Sequence, residues 1–253
     1  MNDDSLVSQS SYRTRIYAHY ASVFQDANAT FDADAAWRWG RGYRHYLRGW
    51  LPDSQEARVL DMACGGGKLL YFFKRMGYRK VCGVDTSPEQ VRLSRQVTAD
   101  VMQEDVLDFL EDRPQSYDLV TGLDIVEHLH KPEVLRLLDT CHAALKPGGR
   151  LVLQTPNADS PWGASSRYGD FTHELGFNPN SLSRLLALSG FCNIEVRETG
   201  PILIGHGVLS SVRYFIWQAI RAALILWNLA ETGDAGSGVF TRVFLISAKR
   251  ASK

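Results

Sequence analysis

The sequence predicts an α/β protein with a doubly wound, seven-stranded, mostly parallel sheet. Three observations carry this expectation. Apolar runs of strand length alternate with helical patterns from Ala57 onward. The first run ends in an acid, Asp61, and is followed by the glycine turn Gly65-Gly66-Gly67. The next run ends in a second acid, Asp85, so two strand ends present carboxylates at one edge of the sheet.

Residues 1 to about 10 are polar, and the stretch from there to Trp50 is rich in aromatics and arginine at helical spacing. This gives an N-terminal helical cap over 1–50, with the main domain over 51–253. A strand is expected at 58–62, a helix to about Met76, a strand at 80–84 and a helix opened by Ser87 and Pro88. Further strands are expected at 100–103, 118–121, 150–154, 193–198 and 239–248. About forty residues separate Arg197 from Val239, room for a helical segment over about 200–237, which the family resemblance given below makes an insertion before the last strand. Its segment SVRYFIWQAIRAALILWNLAE puts Arg213, Gln218, Arg221 and Asn228 on one arc and leaves a wide apolar face. The uncharged run 222–230 is too short to span a bilayer, which needs roughly 20 apolar residues. Three roles are open for this helix: packing on its own domain, which ranks first, a homodimer seam, or a peripheral membrane contact through 211–230 with Trp217 and Trp227 near the headgroups.

The glycine turn points free backbone N–H groups at an approaching anion, and its missing side chains permit close contact. Asp85 is placed to accept hydrogen bonds from a ribose diol. Asp61 beside the turn would repel a pyrophosphate and favour an amino group or a sulfonium. The dinucleotide fingerprint fails because Leu70 stands where a third Gly or Ala is required, and Lys68 lacks the spacing of a phosphate-binding loop. S-adenosylmethionine satisfies all of these constraints.

The segment VLDMACGGGKLLYFFKRMGYRKVCGVD resembles the first two motifs of class I S-adenosylmethionine-dependent methyltransferases. That family's turn reads D-x-G-x-G-x-G. Here Ala63 replaces the first glycine, tolerable at negative φ, and Gly65 and Gly67 hold the other two places. The resemblance implies a Rossmann-like methyltransferase fold and extends to ADVMQEDVLDF, YDLVTGLDIVEHL and LKPGGRLVLQTPN. It implies that Asp105 and Val106 lie near the adenine, with Asp61, Ala63, Gly65, Gly67, Asp85, Thr86 and Leu123 completing the cofactor contacts. It also implies that the N-terminal cap covers the cofactor. Tyr17 and Tyr20, three apart on one helix face, are candidates for that cover, as are Arg38 or Arg41 for the methionine carboxylate, although plain packing and solvation explain these residues as well.

The composition is that of an ordinary globular chain: 253 residues, 45% hydrophobic, 22% charged, formal net charge zero and pI about 7.0. Nothing in that balance attracts nucleic acid. Cys64, Cys82, Cys141 and Cys192 form no metal-binding spacing and suit reduced thiols, and no apolar run follows the first residues. The expected location is cytoplasmic, with membrane association through the helix as an addition.

Methyl transfer from a sulfonium is an in-line displacement, so the protein must align an acceptor and exclude water, and a hydroxyl acceptor gains from a base. His128 follows the fourth strand and is one candidate base, with Asp124 as an i,i+4 partner if a helix begins there. The loop SSRYGDFTHELGFNP follows the fifth strand, and it offers His173 as a second base and Arg167, Tyr168, Asp170 and Glu174 as acceptor contacts. No metal is expected, because His128 and His130 are only two apart and project differently on a helix.

The TPN and RYGDFTHELGFNPNSL segments resemble methyltransferases encoded with bacterial surface-polysaccharide enzymes. This resemblance implies O-methylation of a sugar hydroxyl, or a phosphate, on a glycan or glycolipid precursor. The Glu127 and His128 pair together with the apolar insertion supports an alternative, a small quinol, phenolic or isoprenoid acceptor. A non-catalytic partner that binds the cofactor structurally is the reading from another class.

Overall fold

The computed structural model describes residues 12–24, 30–203 and 207–252. Seven strands form one sheet: β1 (Arg58–Met62), β2 (Lys80–Asp85), β3 (Val101–Gln103), β4 (Tyr117–Leu123), β5 (Leu145–Pro156), β6 (Cys192–Glu198) and β7 (Val243–Lys249). Their spatial order is β3-β2-β1-β4-β5-β7-β6. The first five pair in parallel, and β7 runs antiparallel between β5 and β6. The last strand begins at Val243 rather than at 239. Residues 239–242 instead pass beside Asn157, whose Nδ2 donates to the carbonyls of Val239 (2.8 Å) and Thr241 (3.0 Å).

Helices cover both faces. On one side α1 (Ala33–Tyr46) and α2 (Lys68–Arg75) pack Tyr43, Leu69, Leu70, Phe72 and Phe73 against Val59 and Val81. On the other, α4 (Val106–Glu111), α5 (Lys131–Ala144) and α7 (Pro179–Leu188) bury Leu107, Leu110, Leu137, Leu138 and Leu182. Between these stand α3 (Pro88–Ser94) after β2 and α6 (Gly163–Gly169) after β5. Side chains cap the helices whose starts face the strand ends: Asp32 accepts from Ala35 N (2.8 Å), and Asp105 from Leu107 N (2.8 Å).

α8 (Val208–Thr232) occupies the insertion, and its orientation inverts the usual pattern of a surface helix. Arg221 and Asn228 of its polar arc are half-buried while Arg213 stays exposed: Trp217 Nε1 donates to Glu198 (3.2 Å), Arg221 Nε to the Gly238 carbonyl (2.7 Å) and Asn228 Nδ2 to the Asp234 carbonyl (2.9 Å). Phe215, Ile216, Ile220, Leu226 and Trp227 are exposed. Packing on its own domain, the first-ranked role, therefore leaves the apolar face uncovered. Trp217 also belongs to the inward side, so Trp227 is the tryptophan of the outward face, 69% exposed.

Candidate functional site

Strand order reverses direction at β1 and β4, and a cleft opens there at the carboxyl edge of the sheet, the usual ligand position in such folds. Its volume is about 1630 Å³. The edge lays out the candidate residues in the order of the strands: Asp105 after β3, Asp85 and Thr86 after β2, Asp61 and Ala63 at β1, Leu123 to His128 after β4, and the 165–173 loop after β5.

Asp61, Ala63, Gly65, Asp85, Thr86, Asp105, Val106 and Leu123 all line the cleft. Gly67 lies behind them and starts α2 with φ 87°; a Cβ there would stand 3.0 Å from the Ser94 Cα. Ala63 has φ 47°, not the negative φ expected. It takes the left-handed conformation that a glycine would adopt at no cost, so the methyl group makes this turn strained. Asp85 braces the turn by accepting from Gly65 N (2.9 Å) and Ser87 N (2.8 Å). Asp61 is 3% exposed and accepts from Thr121 Oγ1 at 2.8 Å. Burial, reinforced by nearby Asp85, pushes its pKa up to about 7 despite that hydrogen bond.

The N-terminal segment crosses the mouth of the cleft. Arg13 forms a pair of hydrogen bonds with Glu133 (2.8 and 3.0 Å) and donates to the His128 carbonyl (2.9 Å). Tyr17 and Tyr20 line the cleft with their rings 5.8 Å apart, and Tyr20 Oη donates to Asp170 (2.7 Å). Arg38 and Arg41 are not among the lining residues, whereas Arg13 is. No sequence pattern marked Arg13 in advance; Glu133 and His128, its partners across the cleft, lie 115 or more residues away.

At the β4 end, Asp124 does not pair with His128. The chain leaves β4 with Asp124 at φ 55° and makes only a 3₁₀ turn (Val126–His128), so the helical i,i+4 geometry never forms. Asp124 accepts from Gln154 Nε2 at 3.1 Å, and Gln154 Oε1 accepts from Tyr43. His128 Nδ1 instead meets Thr172 Oγ1 at 2.8 Å, and its ring lies edge-on to His173 with centroids 4.7 Å apart. Burial and the neighbouring His173 push the His128 pKa down to about 4, so its imidazole is neutral at physiological pH. His173 Nδ1 lies 3.0 Å from the Ser166 carbonyl.

Glu127 is 1% exposed and was named in advance only as the companion of His128. Its Oε2 accepts from Thr155 Oγ1 (3.0 Å), and its Oε1 has no hydrogen-bond partner among the described residues. Burial, with Asp124 adding to it, holds its carboxyl well above the usual range. Glu127, His128 and His173 each bring one donor atom within 4.8 Å of the others, a spacing that could hold a divalent cation. The sequence comparison of His128 with His130 missed this grouping, because His173 arrives from a loop 45 residues downstream. Of the four acceptor candidates, Asp170 lines the cleft. Arg167 donates to the Glu174 carbonyl (2.7 Å) and lies over the Tyr168 ring, Tyr168 is 80% exposed, and the Glu174 carboxylate accepts from Tyr12 and lies 3.6 Å from His130 Nδ1. These three stand outside the lining residues.

The family model described as a methyltransferase domain matches residues 31–196. Among curated proteins, the ubiquinone biosynthesis O-methyltransferase of Xanthomonas campestris pv. campestris is 38% identical over 107 residues, covering 40% of this chain and 44% of the relative. The match thus spans less than half of that relative's length. Among solved structures, an S-adenosylmethionine-dependent methyltransferase from Archaeoglobus fulgidus aligns with TM-score 0.61 and 22% identity over 86% of this chain and 94% of that one. The geranyl diphosphate C-methyltransferase of Streptomyces coelicolor aligns with TM-score 0.57 and 17% identity over 85% and 79%. At these identities the structural likeness speaks for the fold, whereas the family model covers most of the chain. The chain belongs to the methyltransferase-domain family.

Proposed function

We propose that this protein is an S-adenosylmethionine-dependent O-methyltransferase acting on the hydroxyl of a small apolar acceptor of the quinol, phenolic or isoprenoid kind. The observation that carries the reading is the meeting of two imidazoles, His128 and His173, at the β4–β5 end of a cleft whose β1–β3 end carries Asp61, Asp85 and Asp105. The acids and the glycine turn hold the amino, ribose and adenine groups of the cofactor, with Ala63, Gly65, Gly67, Thr86, Val106 and Leu123 giving shape around them. Bound there, the cofactor would supply an activated methyl group, and this chain's part would be to hold the acceptor hydroxyl at the β4–β5 end, where an imidazole would accept its proton.

The Xanthomonas relative's name favours a quinol-type acceptor over a sugar hydroxyl, which rests on the TPN and RYGDFTHELGFNPNSL segments. Arg167, Tyr168 and Glu174 are the residues we assign to acceptor docking, and Asp170, inside the cleft, has both carboxylate oxygens engaged by Thr172 and Tyr20.

The outward face of α8 supports peripheral contact with a bilayer from which a lipid-tailed acceptor is drawn. Between Tyr214 and Ala230 that face carries no charge, and α8 is anchored through Trp217 at the carboxyl end of β6, the same edge as the cleft. No helix among the described residues is long and apolar enough to cross a membrane.

The test is turnover with deuterated-methyl cofactor on polyprenyl phenols, catechols and nucleotide sugars, read by mass spectrometry. Label on a phenolic oxygen is expected; label only on sugars would overturn the acceptor assignment. His173→Ala is expected to cut turnover and leave cofactor affinity intact, and unchanged turnover would remove its role as base. Co-sedimentation with phosphatidylcholine/phosphatidylglycerol vesicles is expected for the full chain and lost in Phe215→Glu/Ile216→Glu. A concentration-dependent dimer that ignores vesicles would assign the face to a second copy instead.

A further inference from the structure

We propose that Thr172 and Asp170 are positioning residues that fix the tautomer of His128, keeping the ring proton on Nδ1 and leaving the Nε2 lone pair for the cleft. The inference rests on the proposed role of His128 as a base and extends it to two residues that need not touch the reacting atoms.

The assignment follows from counting protons in one short chain of contacts. Thr172 Oγ1 stands 2.6 Å from Asp170 Oδ1 and 2.8 Å from His128 Nδ1. A hydroxyl has one proton to give and lone pairs to receive with. Asp170 is held ionised, because the Thr172 and Tyr20 hydrogen bonds outweigh its partial burial and keep its carboxyl below the usual range. An ionised carboxylate only accepts, so the Thr172 proton goes to Asp170. What Thr172 offers to His128 is then a lone pair, and Nδ1 must be the nitrogen that carries hydrogen. In a neutral imidazole this leaves Nε2 unprotonated. The neutrality itself agrees with the depressed pKa of His128.

The arrangement is well braced. Asp170 Oδ1 also accepts from the Thr172 backbone N (2.8 Å), and Oδ2 accepts from Tyr20 (2.7 Å), so neither oxygen is free to turn away. Thr172 is 1% exposed, so water does not compete for its hydroxyl. His173, next in the chain, shows the same logic in simpler form: a carbonyl can only accept, so Nδ1 carries the proton there too. A buried acid that orients an imidazole through a fixed donor–acceptor chain is the arrangement hydrolytic triads use to hold the productive tautomer. Here a threonine hydroxyl is interposed, and the Tyr20 contact ties the acid to the N-terminal segment that crosses the cleft.

The experiment reads the tautomer directly in the full-length chain labelled with ¹⁵N-histidine, by long-range ¹H–¹⁵N correlation at pH 7.5, with His128 assigned by its absence in His128→Gln. The unsubstituted protein is expected to show Nδ1–H. Asp170→Ala removes the acceptor of the Thr172 hydroxyl, frees that proton to turn towards His128 Nδ1 and is expected to move the signal to Nε2–H. Thr172→Val removes the link and is expected to lower kcat on the order of 10–100-fold with little change in KM, while Thr172→Ser restores it. An Nε2–H signal in the unsubstituted protein overturns the proposal, as does Thr172→Val with unchanged tautomer and kcat. The first reading needs no variant, so a substitution that fails to fold does not spoil it. Full turnover in His128→Gln would remove the base role while the spectrum still decides the tautomer.

Discussion

Asp61 offers the most quantitative consequence of the cleft. Its carboxylate is buried at the end of β1, with a pKa pushed up to about 7 by loss of solvent. If it receives the cofactor's ammonium group, only the ionised form binds well, and below its pKa the protein must release a proton to do so. The ionised fraction is then about one half at pH 7, one tenth at pH 6 and one hundredth at pH 5. The dissociation constant of S-adenosylmethionine is therefore expected to rise about fivefold from pH 7 to 6 and about ninefold from pH 6 to 5, about 1.0 and 1.3 kcal/mol. The cofactor amine stays charged over this range, since an α-amino group titrates near 8. Calorimetric titrations at pH 5, 6 and 7, each in two buffers of different ionisation enthalpy, give both the affinity and the proton count. About 0.9 proton released per binding event at pH 6 is expected. A dissociation constant flat from pH 5 to 7 with no proton exchange would refute the role given to Asp61. Asp61→Asn should flatten the profile while weakening binding at pH 7.

Glu127 makes a stability prediction with a definite sign. Its folded pKa is raised, so it takes stability away as pH rises above the ordinary carboxylate range, and none below it. Glu127→Gln keeps the Thr155 hydrogen bond and removes the buried charge, so the variant should gain about 1–3 kcal/mol at pH 7.5 and nothing at pH 4, read by denaturant melts. A loss of stability at neutral pH would contradict this, and turnover should fall in the same variant. At the turn, Ala63→Gly relieves a left-handed alanine worth about 1–2 kcal/mol against an unfolded-chain cost of about 0.4–1 kcal/mol, and a melting temperature higher by about 1–3 °C is expected. A lower melting temperature would show that the methyl group packs usefully. Turnover measured with and without a chelator checks the grouping of Glu127, His128 and His173. Activity that survives is expected if the imidazoles act as bases, and abolition reversed by added magnesium or zinc would convert them to ligands.

The sheet was legible because each strand is a short apolar run closed by a residue with its own chemistry. Asp61, Asp85 and Asp105 end strands or begin helices, and local sequence alone puts them there. What depended on backbone conformation was not legible. Nothing in the letters says that Ala63 adopts positive φ, or that Asp124 does so and breaks the helical register to His128. The strand expected from 239 starts later because Asn157, more than eighty residues earlier, takes up the Val239 and Thr241 carbonyls. Periodicity showed that α8 has two faces but not which one the domain would hold; a handful of polar contacts, from Trp217, Arg221 and Asn228, chose the polar face. The β4–β5 end of the cleft was half visible. His128 and His173 could each be named from their positions after strands, whereas their meeting, and the Thr172 and Asp170 contacts behind it, depend on a loop folding back over β4.

The most direct test of the whole account is a crystal of the protein grown with S-adenosylhomocysteine. Density should fill the cleft with the ribose hydroxyls on Asp85, the adenine beside Asp105 and Val106, and the sulfur turned towards His128 and His173. An empty cleft at saturating ligand, or a nucleoside bound with its ribose away from Asp85, would contradict it.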